Sequence, residues 1–290
     1  MKYLKVFLSG LVLYVLLFAG GSQFSACKKT IIEHDTIIKI KTDTVIKKDT
    51  VTIFDSSLCN CYNLKDGLVA WYNFNNANLK DSSGNNNHIT FNNAIPTTDR
   101  FGKANNAYLF DGSSNYMKAA NSTSLNPPTS ISLMAIVKIN GYYAGGCTAN
   151  QIFGKGWNDY INGFYALRFW SKALCSGPVD TTKEFFADGY GDYTDRTGAD
   201  DNTSSYIQSN KWYNVIFTAD SGLSKIYVNG VLKNTYHGHA VFNPNDQELF
   251  IGKHGDPIYP YWFKGVIDEL RIYNRALCQG EVNQLNNLKQ

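Results

Sequence analysis

Beyond about residue 60 the chain alternates apolar and polar residues in short runs, the period-2 signature of half-buried β-strands. In SISLMAIVKI, residues 130–139, Ile131, Leu133, Ala135, Val137 and Ile139 share one face. GFYALRFW at 163–170 and KWYNVIFTA at 211–219 do the same. KIYVNGVLKN, residues 225–234, reads as two strands joined by Asn229-Gly230, a strong hairpin signal. Trp71 and Trp212 stand in strongly alternating stretches and are expected in the core. Only CQGEVNQLNNL, residues 278–288, carries helical spacing, through Val282, Leu285 and Leu288. Many short strands separated by turn residues predict an all-β chain of two antiparallel sheets packed face to face.

One strand raises a chemical question. In FKGVIDELRIYNRALCQGEV, residues 263–282, alternation puts Val266, Asp268, Leu270 and Ile272 on one face. Ile267, Glu269, Arg271 and Tyr273 fall on the other. Glu269 is then expected to be solvated beside Arg271. Asp268 lies among aliphatic residues, where an ionised carboxylate costs several kcal/mol unless N–H donors, a cation or a metal compensate it.

The N-terminus has a different pattern. Lys2 and Lys5 precede the apolar run VFLSGLVLYVLLFAGG, and FSACKK follows. A basic start, a short apolar core and small residues before a cysteine predict an export signal over residues 1–26 and not a membrane-spanning helix. The FSAC stretch resembles the lipobox of bacterial lipoproteins, which implies lipidation of Cys27, attachment to a membrane, and a location at the outer membrane or cell surface. Small Ser25 and Ala26 argue against the alternative, an uncleaved anchor. Residues 27–58 are expected to form a tether, with Asp-Thr at 35, 43 and 49 and β-branched residues after each. β-Branched content favours an extended, mobile stalk; Ile31, Ile38 and Val45, seven apart, leave a short coiled coil as the alternative. Residues 59–290 form the domain.

Composition narrows the function. Lys and Arg number 27 against 24 acidic residues, and losing Lys2 and Lys5 with the signal leaves 25 against 24, so there is no electrostatic case for nucleic acid. Aromatics at 14% with 24 glycines fit a strand-rich, turn-rich chain. Export permits disulfides. Cys147 is expected to pair with Cys175, closing a loop of about 29 residues, and Cys278 with either Cys59 or Cys61. CNC at 59–61 lacks a second ligand pair at zinc spacing.

Taken together, GLVAWYNFNN, LKDSSGNNNHIT, AYLFDGSSNYM, SISLMAIVKI, QIFGKG, KWYNVIFTAD, KIYVNGVLK, LFIGKH and FKGVIDELRIYNRAL resemble, in family order, the laminin-G-like, concanavalin-A-like jelly-roll family. The resemblance spans about residues 66–285 and implies a two-sheet antiparallel jelly-roll sandwich. It also implies that Asp81, in the D-x-S-G loop, lies near Asp268. Asp268 would then be a structural carboxylate, held either by backbone donors of the Ser82–Asn87 loop or by a structural Ca²⁺ shared with Asp81.

Catalytic patterns are missing from the sequence. The E-x-D-x-x-E triplet of retaining glycosidases of this fold does not occur, and two carboxyl groups on opposite faces of a strand cannot flank one glycosidic bond. Gln151-Ile152-Phe153 has phenylalanine where related alginate lyases carry histidine. No G-x-S-x-G elbow is present. HGH at 237–239 reads as an exposed hairpin end, with two imidazoles on one strand face the alternative, and the acidic stretch 188–201 as a solvated loop, with a second calcium site the alternative. Aromatic side chains are more suggestive, because sugar rings stack their C–H faces on Trp and Tyr. Trp157, Trp170, Tyr190, Tyr193 and Trp262, with Arg168 on the face of Phe164, Ala166 and Trp170, are the candidate ligand contacts. The reading is a lipid-anchored, noncatalytic surface domain that binds carbohydrate or a glycosylated partner. A structural or protein-binding subunit is the alternative, and a hydrolase or lyase with an unfamiliar site the weaker one.

Overall fold

The structure, a computed structural model, describes residues 63–127, 129–143, 149–156, 163–171, 183–190, 196–200, 207–220, 222–237 and 244–288, together with the backbone of 4–8, 11–15, 30–40 and 43–53. The N-terminal unit contains two antiparallel hairpins, β1 (Leu4–Leu8) with β2 (Leu11–Val15) and β3 (Thr30–Ile40) with β4 (Asp43–Ile53). Within the segment expected as a tether, β3 and β4 therefore have strand backbone and pair with each other. The cysteines expected to pair, apart from Cys278, and the lipidation site Cys27 lie outside the described residues.

The domain runs β5 (Leu68–Tyr72), β6 (Ile89–Asn92), β7 (Ile95–Thr97), β8 (Ala107–Asp111), β9 (Met117–Ala119), β10 (Ser130–Ile139), β11 (Ala149–Lys155), β12 (Tyr165–Ser171), β13 (Lys183–Tyr190) and β14 (Arg196–Asp200). It continues with β15 (Trp212–Asp220), β16 (Leu223–Val228), β17 (Val231–His237), β18 (Leu249–Ile251), β19 (Lys264–Tyr273) and the α-helix α1 (Gln279–Asn286). Eight strands form one sheet in the order β17-β16-β15-β10-β19-β8-β7, with β5 also on β19. Seven form the other, β14-β13-β12-β11-β18-β9-β6. All pairs are antiparallel, and the architecture is the expected jelly-roll sandwich. Asn229 at φ 52° and Gly230 at φ 79° make the turn between β16 and β17, the left-handed pair that a two-residue hairpin requires.

The main core lies between the sheets. Leu133, Ala135 and Val137 of β10 and Val215 and Phe217 of β15 meet Phe153, Leu167, Phe169 and Phe185 from the facing sheet. A second cluster seals the outer face of the eight-stranded sheet, where Met134, Ile136, Ile216, Tyr227 and Tyr273 pack against Val282 and Leu285 of α1. Full burial of those two helical side chains contributes about 1.5–3 kcal/mol each. The helix is pinned by Arg275, whose two terminal nitrogens reach the Glu281 carboxylate at 2.7 and 2.6 Å. Trp71 and Trp212 belong to this outer cluster, half-buried, and not to the core between the sheets as their alternation suggested.

Strand β19 departs most from simple alternation. Ile136 of β10 faces Glu269 while Val137 faces Ile267, so Asp268 is the extra residue of a β-bulge. The inward set becomes Ile267, Leu270 and Ile272. On its other edge β19 pairs β8 through residues 264–267 and β5 from Leu270 onward, so the bulge sits where one neighbour hands over to the next. There the Arg100 side chain ion-pairs with Asp268, and its second terminal nitrogen lies 3.7 Å from Glu269.

Two expectations are corrected. Glu269 is not solvated: only 7% of its surface is exposed, and Oε1 accepts hydrogen bonds from Trp71 Nε1 at 2.8 Å and Arg271 Nε at 2.7 Å. The Arg271 guanidinium also lies 4.4 Å from the Trp71 ring centroid. Asp268 is held by Arg100 and not by the Ser82–Asn87 loop. That loop turns its donors on Asp81, whose carboxylate accepts the N–H groups of Trp71, Ser83 and Asn87 at 2.9, 2.8 and 3.0 Å. A shared calcium does not fit these residues, because backbone donors fill Asp81 and a guanidinium already neutralises Asp268. Among the described residues no three His, Cys, Asp or Glu side chains converge as a metal site.

Two consequences can be measured. Glu269→Ala leaves the Arg271 guanidinium buried without its counter-ion and should lower stability by roughly 3 kcal/mol in urea unfolding; a change below about 1 kcal/mol would refute the network. Burial raises the Asp268 pKa to about 6, against the opposing pull of Arg100. The folded state then holds this proton more tightly than the unfolded chain, whose aspartate titrates near 3.9. The associated stability is present below about pH 4 and is lost as pH rises through about 6, on the order of 3 kcal/mol. Asp268→Asn should flatten that portion of the stability–pH curve, and identical curves for the two proteins would contradict the shift.

Candidate functional site

The segment between β18 and β19 is built as a braced loop. It opens at Gly252, with φ 83°, where a Cβ would come within 2.2 Å of the Phe110 ring, so only glycine fits. Phe263 N–H donates to the Gly252 carbonyl at 2.9 Å and closes the base. His254 N–H bonds to the Pro260 carbonyl at 2.7 Å, and Gln151 N–H to the Tyr261 carbonyl at 2.8 Å. Gln151 Nε2 reaches the Lys253 carbonyl at 3.1 Å. At the tip, Asp256 Oδ1 accepts Ile258 N–H at 2.7 Å and Tyr259 N–H at 3.2 Å. Tyr261 takes φ 39°, an uncommon left-handed conformation for an aromatic residue and one that must be held by its surroundings.

Stacked rings hold it. His254 stacks on Tyr261 with centroids 5.4 Å apart and meets Phe164 edge-on at 5.8 Å; Tyr259 stacks on Tyr261 at 6.2 Å. Arg168 lies under this layer with no exposed surface. Its guanidinium is 5.1 Å from the Phe164 ring and 5.7 Å from Tyr261, and its Nε donates to Gln151 Oε1 at 3.1 Å. Arg168 was expected to touch ligand. It sits on the predicted face but is covered, and it supports the loop from below.

Beside the loop is a partly exposed aromatic surface. Trp262 meets Tyr116 edge-on at 6.0 Å, and Tyr116 packs on Phe91 at 4.6 Å. Trp262 and Tyr116 are half-buried, and Phe91 is 37% exposed. Lys253 places its ammonium 5.0 Å from the Trp262 ring, 5.1 Å from Tyr116 and 5.7 Å from Phe250. Partial burial lowers the Lys253 pKa, opposed by Asp256. The loop tip adds Ile258 and Tyr259, 75% and 48% exposed. Such a surface offers apolar ring faces for stacking and one cation for polar recognition.

Of the residues singled out from the sequence, Trp262 is in this cluster. Trp157 and Tyr193 lie outside the described residues, as do the side chains of Trp170 and Tyr190. Tyr116, Phe91 and Lys253 were missed. The turn before Tyr116 carried some signal, for in DGSSN Asp111 Oδ1 accepts the N–H groups of Ser113, Ser114 and Asn115 at 2.9, 2.8 and 3.0 Å. That turn fixes where the tyrosine emerges.

The comparisons agree with this architecture. A profile of the concanavalin A-like lectin/glucanases superfamily matches residues 111–283, more than half of the chain. No curated protein sequence matches. Among solved structures, domain 4 of AbnA, an extracellular GH43 arabinanase of Geobacillus stearothermophilus solved with arabinotriose, superposes with a TM-score of 0.52 at 26% identity, over 76% of this chain and 98% of that one. The binding domain of Paraclostridial Mosquitocidal Protein 1 gives 0.57 at 17% identity, covering 78% of this chain and 53% of that chain. The binding domain of botulinum neurotoxin DC, in complex with rat synaptotagmin II, gives 0.55 at 15% identity over 78% and 52%. The two toxin domains, of which this chain spans about half the length, share the fold. By the profile match and by its two facing antiparallel sheets, the chain belongs to the concanavalin A-like lectin/glucanase superfamily.

Proposed function

We propose that this domain is a noncatalytic binding module for carbohydrate or a glycosylated partner, displayed outside the cytoplasm by a lipid on Cys27. The observation that carries the reading is the cluster of Trp262, Tyr116 and Phe91 left partly open beside a braced loop. Stacking on sugar C–H faces is what such rings do best, and a preformed surface loses little entropy on binding. The similarity to an arabinanase domain solved with arabinotriose supports the ligand class. The noncatalytic part rests on the acids: Asp268 and Glu269 are tied to Arg100 and Arg271, and Asp81 to backbone donors. None of the three is placed as a free acid–base pair. A protein-binding role is the second reading, favoured by the exposed Val231, Leu232 and Tyr236 on edge strand β17.

Two experiments follow. Trp262→Ala and Tyr116→Ala should each weaken binding to a glycan that the soluble domain recognises by at least tenfold in titration calorimetry, with unfolding still cooperative; unchanged affinity in both would move the site elsewhere. Cys27→Ser should shift the full-length protein from membrane to soluble fractions on expression in a bacterial host. Complete retention in the membrane by that variant would rule out the lipid anchor.

A further inference from the structure

We infer that the site is selective for acidic glycans, with Lys253 receiving a carboxylate or sulfate of a sugar whose ring stacks on Trp262 and Tyr116. This rests on the carbohydrate-binding reading and adds the ligand's charge class. The ammonium of Lys253 is ringed by Trp262, Tyr116 and Phe250 at 5.0–5.7 Å, and among the described residues no carboxylate lies within ion-pair distance of it. Asp256 acts on Lys253 through space but makes no ion-pair contact with it. Glu248 pairs with Lys118 at 2.9 Å, and Asp256 Oδ1 accepts the two N–H groups that shape the loop tip.

The rings orient the cation without neutralising it. A cation–π contact supplies part of the lost hydration but leaves the full positive charge. In a half-buried setting that charge attracts an anion more strongly than an exposed lysine would. The lysine backbone is also fixed, since its carbonyl accepts from Gln151 Nε2 at 3.1 Å and it follows the obligatory Gly252. An anionic sugar completes both halves of the cluster, with its C–H face on the aromatic rings and its acid group on the ammonium. A neutral sugar would leave the cation unanswered.

The test is affinity electrophoresis and biolayer interferometry of the soluble domain with matched polysaccharides. Neutral arms are arabinan, unsubstituted xylan and galactan; carboxylated arms are glucuronoxylan and polygalacturonate; the sulfated arm is heparan sulfate. The expected result is retention by at least one acidic member and weakening with added salt. Lys253→Gln should reduce that retention at least fivefold, Lys253→Arg should preserve it, and Trp262→Ala should abolish it. Preference for a carboxylated over the sulfated arm, or the reverse, identifies the acid group. Binding confined to neutral polysaccharides, or acidic binding equal in Lys253→Gln and the native protein, would overturn the charge selectivity while leaving carbohydrate binding intact. Retention by no member of the panel would overturn both readings.

Discussion

Strand β19 changes neighbours halfway along its length, and the bulge at that handover brings two carboxylates into a largely dehydrated place. Between Ile267, the last partner of β8, and Leu270, the first partner of β5, no described strand pairs with that edge of β19. Arg100 enters the gap on a loop that Asp99 shapes by accepting the N–H groups of Phe101 and Lys103 at 2.8 and 2.9 Å. The Asp268–Arg100 and Glu269–Arg271 pairs therefore neutralise a necessity of the topology. Replacing such a network by apolar residues is often neutral for stability, so its value here is positional. A one-residue slip of a strand inverts its faces, and a bulge held by two ion pairs admits one register.

That register extends to the candidate site. β19 begins one residue after Phe263, whose N–H closes the loop on Gly252, so the position of the strand sets the position of Trp262 and Lys253. From the other side, Gln151 and Arg168 support the same loop through strands β11 and β12. The exposed rings are thus held by both sheets' strand ends. A surface fixed in this way presents its aromatic faces without an ordering step, which is how a small contact area supports recognition.

Strands and helix were legible because each is an amphipathic element with one packed face. The alternation of residues 130–139 and the helical spacing of Val282 and Leu285 needed no tertiary knowledge. β19 was misread because a bulge is a property of the pair of strands: nothing within IDEL says that Asp268 has no opposite number on β10. Glu269 was misjudged for a related reason, since its burial comes from Trp71, 198 positions away. Arg168 was assigned to the correct face, but its cover comes from Tyr261. Trp262 was legible as a ring before a strand. Tyr116 and Lys253 were not, because they become neighbours only when β9 pairs with β18.

The two outer faces of the sandwich point to where binding belongs. Each sheet has an inner face committed to the common core, so its outer face must be polar, covered or used. The eight-stranded sheet covers much of its own with α1 and the cluster containing Trp71 and Trp212. On the seven-stranded sheet, the loop after β18 shelters Arg168 and Phe164 but leaves Phe91, Ile258 and Tyr259 in solvent at 37%, 75% and 48% exposure. Scattered apolar residues need no explanation on any surface, whereas rings gathered around a lysine beside a loop with a left-handed tyrosine do. The cation–π contacts and the more distant Asp256 stabilise this ammonium in part, but no acid touches it among the described residues. A ligand with an apolar face and a negative charge supplies what that arrangement lacks.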